Sequence, residues 1–239
     1  MRIAVSPVNP LELIAATTSN VYRSDNAGTT WYAASGSGDT ARGGTSVRAF
    51  QLVPSTYWTN GEPRMVVGTN NGVWATLDGG ATWAPLSPTK TVGDGLSMAN
   101  ESVYSLGFGL PGALMAGTQG HGIFSLPLQA AELPASIPAP SGSPVRNAVL
   151  TANTGTWSGT APFGFAFQWK RCNSSSGADA NGTTCSDISG ATGKTYQLVQ
   201  ADVGKHLRVG VRARNLVLAA LSGEKLSASA GPVTAPAGF

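Results

Sequence analysis

Two eight-residue segments of this 239-residue chain are near-copies of each other: Ser24-Asp25-Asn26-Ala27-Gly28-Thr29-Thr30-Trp31 and Thr76-Leu77-Asp78-Gly79-Gly80-Ala81-Thr82-Trp83. Both read hydroxyl-x-(Asp/Asn)-x-Gly-x-Thr-Trp, and the two tryptophans lie 52 positions apart. Self-similarity at a period of this size is the mark of a repeat architecture, in which each copy is one supersecondary unit that cannot bury its apolar face alone. Within a copy, a hydroxyl and an Asp or Asn two residues on bond the local backbone, and glycine accepts positive φ without steric cost. The Thr-Trp that follows suits the start of a half-buried strand. Each segment therefore predicts a tight turn between two strands.

These segments resemble the Asp-box, or BNR, repeat carried on the blades of β-propellers in sialidases, xyloglucan-cleaving hydrolases and sortilin-like receptors. The first copy has Asn26 where the box usually has Asp; the second keeps Asp78. The resemblance implies a structural role, at a peripheral turn away from any ligand, for Ser24, Asn26, Gly28, Trp31, Thr76, Asp78, Gly80 and Trp83. The flanks repeat as well. Leu13-Ile14-Ala15-Ala16-Thr17, Met65-Val66-Val67-Gly68-Thr69 and Leu114-Met115-Ala116-Gly117-Thr118 precede Val21-Tyr22, Val73-Trp74 and Ile123-Phe124. Short strands separated by Gly, Asn, Ser or Pro turns predict a four-stranded blade. First strands are expected at Arg2–Ser6, Val47–Val53 and Val103–Phe108, and fourth strands from each box threonine. No box follows the third copy, and its fourth strand is expected to be missing. Closed propellers take about four to eight blades. Three visible blades, with an exposed edge that would invite aggregation, give the expectation of a longer chain or a second chain supplying the rest.

From Pro127 to Pro144 proline is interleaved with Ala and Ser, a composition that favours extended polyproline-type spacing. Beyond it, Phe163, Phe165, Phe167 and Trp169 alternate with small or polar residues, and Leu207, Val209, Val211 and Ala213 alternate with His206, Arg208, Arg212 and Arg214. Period two of this kind means sheets with one buried and one wet face. The spacing of Gly155-Thr156-Trp157-Ser158-Gly159, Gln168-Trp169-Lys170-Arg171-Cys172 and Tyr196-Gln197-Leu198 resembles immunoglobulin-like repeats of bacterial surface and secreted proteins. The expected fold is thus all-β: an incomplete Asp-box propeller over residues 1–128, a Pro/Ala/Ser linker over 129–143, and an immunoglobulin-like β-sandwich over 144–239.

Cys172 and Cys185 are the only cysteines, and they bracket a polar excursion between two strands. A disulfide here closes a short loop, worth about 3 kcal/mol in the chain-entropy picture, and points to an oxidising compartment. With His121 and His206 elsewhere, no metal site is expected. A net charge of +3 is too small to argue for nucleic acid. The stripe of Arg208, Arg212, Arg214 and His206 reads as the solvated face of a sheet, with contact to acidic cell-wall polymers or glycans as the alternative. Neither an export signal nor a membrane-spanning run is present in the sequence, so an extracellular or cell-surface location carries the expectation that a signal lies upstream. The absence of a phosphate-binding Gly-Lys loop, a paired-cysteine site and an EF-hand pattern gives the expectation that no cofactor is bound.

In a blade whose strands alternate in direction, the box turns lie on one face and the turns between second and third strands lie on the other. The latter face carries Asn70, Asn71, Gln119 and His121 as candidate ligand-binding residues. Asp39 and Asp94 follow glycines in the crossings between blades. Paired carboxylates are what glycoside hydrolysis needs, and the resemblance to xyloglucan-cleaving propellers would give these two that role. Asp after Gly is also ordinary turn chemistry. Arg42, Arg48 and Arg64 do not recur at equivalent positions, and no Tyr–Glu pair stands out, which argues against a sialidase. Tyr57 and Trp58 fall on the box face and read as loop packing. The expected function is non-catalytic binding of a glycan or cell-surface protein, with the C-terminal module as spacer or adhesive unit. The tail of a secreted glycoside hydrolase and a purely structural stalk are the alternatives.

Overall fold

A computed structural model describes residues 2–6, 9–36, 46–53, 64–86, 101–109, 112–175, 185–216 and 222–236. Apart from one 3-10 turn at Gln200–Asp202, the described residues form strands, turns and loops. The chain is all-β, and its named strand pairs are antiparallel.

Three meanders follow one another. The first joins β1 (Arg2–Val5), β2 (Leu13–Ala16), β3 (Val21–Ser24) and β4 (Tyr32–Ala33) in chain order. The second joins β5 (Val47–Leu52), β6 (Met65–Thr69), β7 (Gly72–Thr76) and β8 (Ala84–Pro85) in the same way. The third has three strands, β9 (Val103–Phe108), β10 (Ala113–Thr118) and β11 (Ile123–Pro127). The first strands agree with the sequence expectation to within a residue. The fourth strands begin after each box tryptophan, not at the box threonine, because Thr30 and Thr82 are held inside the turn by the Asn26 and Asp78 side chains.

Every residue of β6 and β7 is buried. Their alternating side chains feed two separate clusters: Met65, Val67 and Trp74 pack with Ile14 and Val21, whereas Val66, Val73 and Ala75 pack with Leu114 and Phe124. A strand covered on both faces has to be apolar at successive positions, which accounts for the unbroken Met65-Val66-Val67.

Two compact units emerge from the contact pattern. Unit 1 comprises residues 1–130 together with 159–164 and 214–220; unit 2 comprises 131–158, 165–213 and 221–239. Leu216, fully buried, belongs to the cluster of Val66 and Leu114 in unit 1. Nearby, buried Arg64 donates from Nη1 to the Asn215 carbonyl at 2.7 Å. Burial and then the charge of Arg214 push the Arg64 pKa down to about 10, so the guanidinium remains protonated at neutral pH.

In unit 2, β14 (Cys185–Asp187), β13 (Gly164–Cys172), β16 (His206–Arg214) and β17 (Lys225–Leu226) form one sheet, and β12 (Val149–Thr151) pairs with β15 (Thr195–Gln197). Leu207, Val209, Val211 and Ala213 are fully buried, as their alternation predicts. On β13 only Trp169 and Cys172 are buried; Phe165 and Phe167 are half-buried, as is Phe163 just before the strand. The proline-rich segment is hydrogen-bonded into this unit. Glu132 bridges to Ser158 and Ile137 to Ser227, and Ile137 is 2% exposed. Cys172 and Cys185 face each other in the β13–β14 register and form a disulfide. Tyr196 stacks on Trp169, and the buried Asp202 accepts from Arg171, Tyr196 and the Val199 amide.

Candidate functional site

The two box turns are built almost identically. Thr76 donates to Asp78 Oδ1 (2.7 Å) and accepts from the Gly80 amide (3.0 Å); Ser24 donates to Asn26 Oδ1 (3.0 Å) and accepts from the Gly28 amide (2.8 Å). The fourth position takes positive φ in both, at Ala27 (54°) and Gly79 (68°). The Ser24 and Thr76 hydroxyls and the Asn26 and Asp78 side chains are spent on the turn. Burial by itself would raise the Asp78 pKa, but bonds from the Thr82 hydroxyl and amide and from Thr76 outweigh it and hold that carboxyl below the usual aspartate range.

At the opposite ends of the second strands, Thr17, Thr69 and Thr118 each donate to a carbonyl of the following turn: Asn20 (3.2 Å), Gly72 (3.0 Å) and Gly122 (3.1 Å). This turn-closing bond explains why the threonine recurs. It also sets the edge from which a cluster of side chains projects.

That cluster grows from two β-bulges. In the β5–β6 ladder Val47 pairs with Thr69 and Ala49 with Gly68, leaving Arg48 as the extra residue. In the β9–β10 ladder Val103 pairs with Thr118 and Ser105 with Gly117, leaving Tyr104 in the same position. A bulge kinks the strand and re-aims the extra side chain. Here it brings the two residues together. Arg48 Nη1 donates to the Tyr104 hydroxyl at 2.7 Å, and the guanidinium lies 4.7 Å from the ring centroid. The Tyr104 hydroxyl in turn donates to Gln119 Oε1 at 3.1 Å. Tyr104 remains 43% exposed, so a preorganised aromatic face stands at the surface with its polar tip already oriented. Two residues on from Gln119, His121 Nδ1 meets Glu101 Oε2 at 3.0 Å.

Of the residues proposed from sequence, Gln119 joins this cluster, and His121 pairs with Glu101. Asn71 serves the turn through its backbone, its amide donating to Thr69 Oγ1 and its carbonyl accepting from Trp74 Nε1; Asn70 is exposed at the same turn. Asp39, Asp94, Arg42, Tyr57 and Trp58 lie outside the described residues. Sequence reasoning missed Arg48, Tyr104 and Glu101 as partners. The available signal was positional: Arg48 and Tyr104 each follow the valine that opens a first strand. Among the described residues, no group of three or more His, Cys, Asp and Glu is placed to hold a metal ion, and no helix is long and apolar enough to cross a membrane.

No protein-family model matches this chain, and no curated protein matches it. Among solved structures, an ancestral GH74 enzyme aligns over 95% of this chain at 10% identity, with a TM-score of 0.35. The chain spans 32% of that enzyme's length. A likeness this slight assigns neither fold family nor activity.

Proposed function

We propose that the three meanders are blades of an Asp-box β-propeller, that unit 2 is an immunoglobulin-like module, and that the protein is a non-catalytic glycan-binding protein working outside the cell. Support for the blade reading comes from the box turns, which join third to fourth strands in both four-stranded meanders. The disulfide fits an oxidising compartment. One observation carries the binding reading: the exposed ring of Tyr104, braced by Arg48 beneath and Gln119 at its tip. A rigid half-exposed aromatic with polar groups at its rim is the chemistry a sugar ring requires, an apolar face to stack on and hydrogen-bonding groups for its hydroxyls.

Affinity electrophoresis of the full chain in gels containing plant and bacterial polysaccharides tests this. Retardation by at least one polysaccharide is expected, with Tyr104→Ala weakening it about tenfold, or about 1.4 kcal/mol. Binding that is unchanged in Tyr104→Ala, or absent from every gel, would overturn the assignment.

A further inference from the structure

The described arginines fall into two kinds. Arg23 meets the buried carboxylate of Glu12 at 2.6 Å, and Arg171 meets the fully buried Asp202. Each of these cations is neutralised inside the fold. Among the described residues Arg48 is not: the acceptor facing it is the neutral hydroxyl of Tyr104, and its Nε is shielded from solvent with no hydrogen-bond partner among them.

Arg48 also has company. A cleft of about 360 Å³ is lined by Arg2, Thr18, Ser46, Arg48 and Tyr104, among others. Arg2 pairs with Ala16, the residue before Thr17, which is the register position that Ala49 and Ser105, the residues just after Arg48 and Tyr104, take in their own meanders. The described lining presents two guanidinium groups and no carboxylate. Two like charges around one small space repel, and an anion bound between them adds an attraction to each. Guanidinium groups, with their planar fork of donors, match a carboxylate. Thr18 and Ser46 add hydroxyls at the wall.

Tyr104 borders a second, open trough with Ser105, Gly117, Gln119 and Ile123. One aromatic residue therefore sits between a cationic cleft and an uncharged trough. A ligand laid across it presents a negative group on one side and polar hydroxyls on the other.

We infer that the cleft of Arg2 and Arg48 binds the carboxylate of an acidic polysaccharide whose chain continues over Tyr104. This rests on the glycan-binding reading above and names its substrate class. It makes the two arginines specificity-determining residues: among the described residues of the cleft, a neutral sugar chain leaves both cations without a counter-charge.

Three polymers separate the outcomes by calorimetric titration of the full chain at low ionic strength: polygalacturonate, the same polymer fully methyl-esterified, and polyglutamate. Polygalacturonate is expected to bind at least about tenfold more tightly than either of the others. Arg48→Gln and Arg2→Gln are each expected to cost about tenfold, a loss typical of one charge-assisted contact. Lys194→Gln, which removes the same charge from an exposed site in unit 2, is expected to leave binding unchanged. Arg2 lies on an exposed strand, so its variant reports on binding even if Arg48→Gln fails to fold. Equal binding of the esterified polymer, unaffected by either arginine variant, would overturn the anion inference and leave the glycan reading standing. Polyglutamate binding as tightly as polygalacturonate would overturn the saccharide class. No binding to either saccharide, with neutral polysaccharides also silent in the gels, would remove both.

Discussion

Asp78 and Asn26 occupy the same place in two copies of one turn, and the comparison shows what that place demands. Each Oδ1 accepts the amide of the threonine four residues on, at 2.9 Å. Asp78 Oδ2 accepts from the Thr82 hydroxyl, whereas Asn26 Nδ2 donates to the Thr30 hydroxyl. The hydroxyl rotates to suit either partner, so Asp78→Asn is expected to change stability at neutral pH by less than about 1 kcal/mol. The pH dependence is different. Because the folded carboxyl titrates below the usual aspartate range, its contribution is complete above the unfolded-state value and is lost as pH falls through the folded one. Denaturant titrations from pH 7 down to pH 2 are expected to show a shallower acid loss for Asp78→Asn than for the wild type; parallel curves would mean that the carboxylate adds nothing.

At the scale of the element, the two boxes diverge through their tryptophans. Trp83 is 7% exposed, and its Nε1 donates to the Ala34 carbonyl of the preceding meander at 2.9 Å. Gly80 lies against the same carbonyl: a Cβ there would come within 2.1 Å of it, at a φ of 94°. Trp31, at the matching position of the first box, is 39% exposed. One motif therefore yields a packing anchor in one copy and a surface residue in the other. Trp83→Ala is expected to destabilise by about 3–5 kcal/mol, the range for a buried large aromatic, and Trp31→Ala by less than half as much. Chemical denaturation of the two variants decides it, and equal losses would show that Trp31 is anchored elsewhere. The turns, the strand order of each meander and the cross-strand Cys172–Cys185 pair were legible in the sequence because each depends on residues close along the chain. The site was legible only in part. Gln119 follows from turn position, but the pairing of Arg48 with Tyr104 depends on two bulges, and a bulge has no signature in the alternation of apolar residues.

For the whole molecule, the consequential residue is Leu216. It lies 88 positions beyond Leu128, yet both belong to one buried cluster in unit 1. The Asn215 carbonyl accepts from buried Arg64, and its Nδ2 donates to the carbonyls of Gln129 and Thr160. Leu216→Ala is expected to cost about 2–5 kcal/mol through the cavity it leaves. Amide exchange would place that loss in unit 1, at the protected strands β6, β7 and β10. Loss confined to the strands of unit 2 would show that Leu216 supports the sheet from which its loop springs.

The sequence by itself determined an all-β chain, its repeat, the box turns and the alternation that buries one face of β16, because these follow from φ preferences, side-chain-to-backbone bonds and period-two patterning within a few residues. Tertiary structure alone decided that the proline-rich segment is bridged to Ser158 and Ser227, that Leu216 after β16 belongs to the core of unit 1, and that Arg48 meets Tyr104. The physical reason is common to all three. Each is a contact between residues far apart in the chain, made favourable by burial or a shared charge environment that exists only once the sheets have assembled.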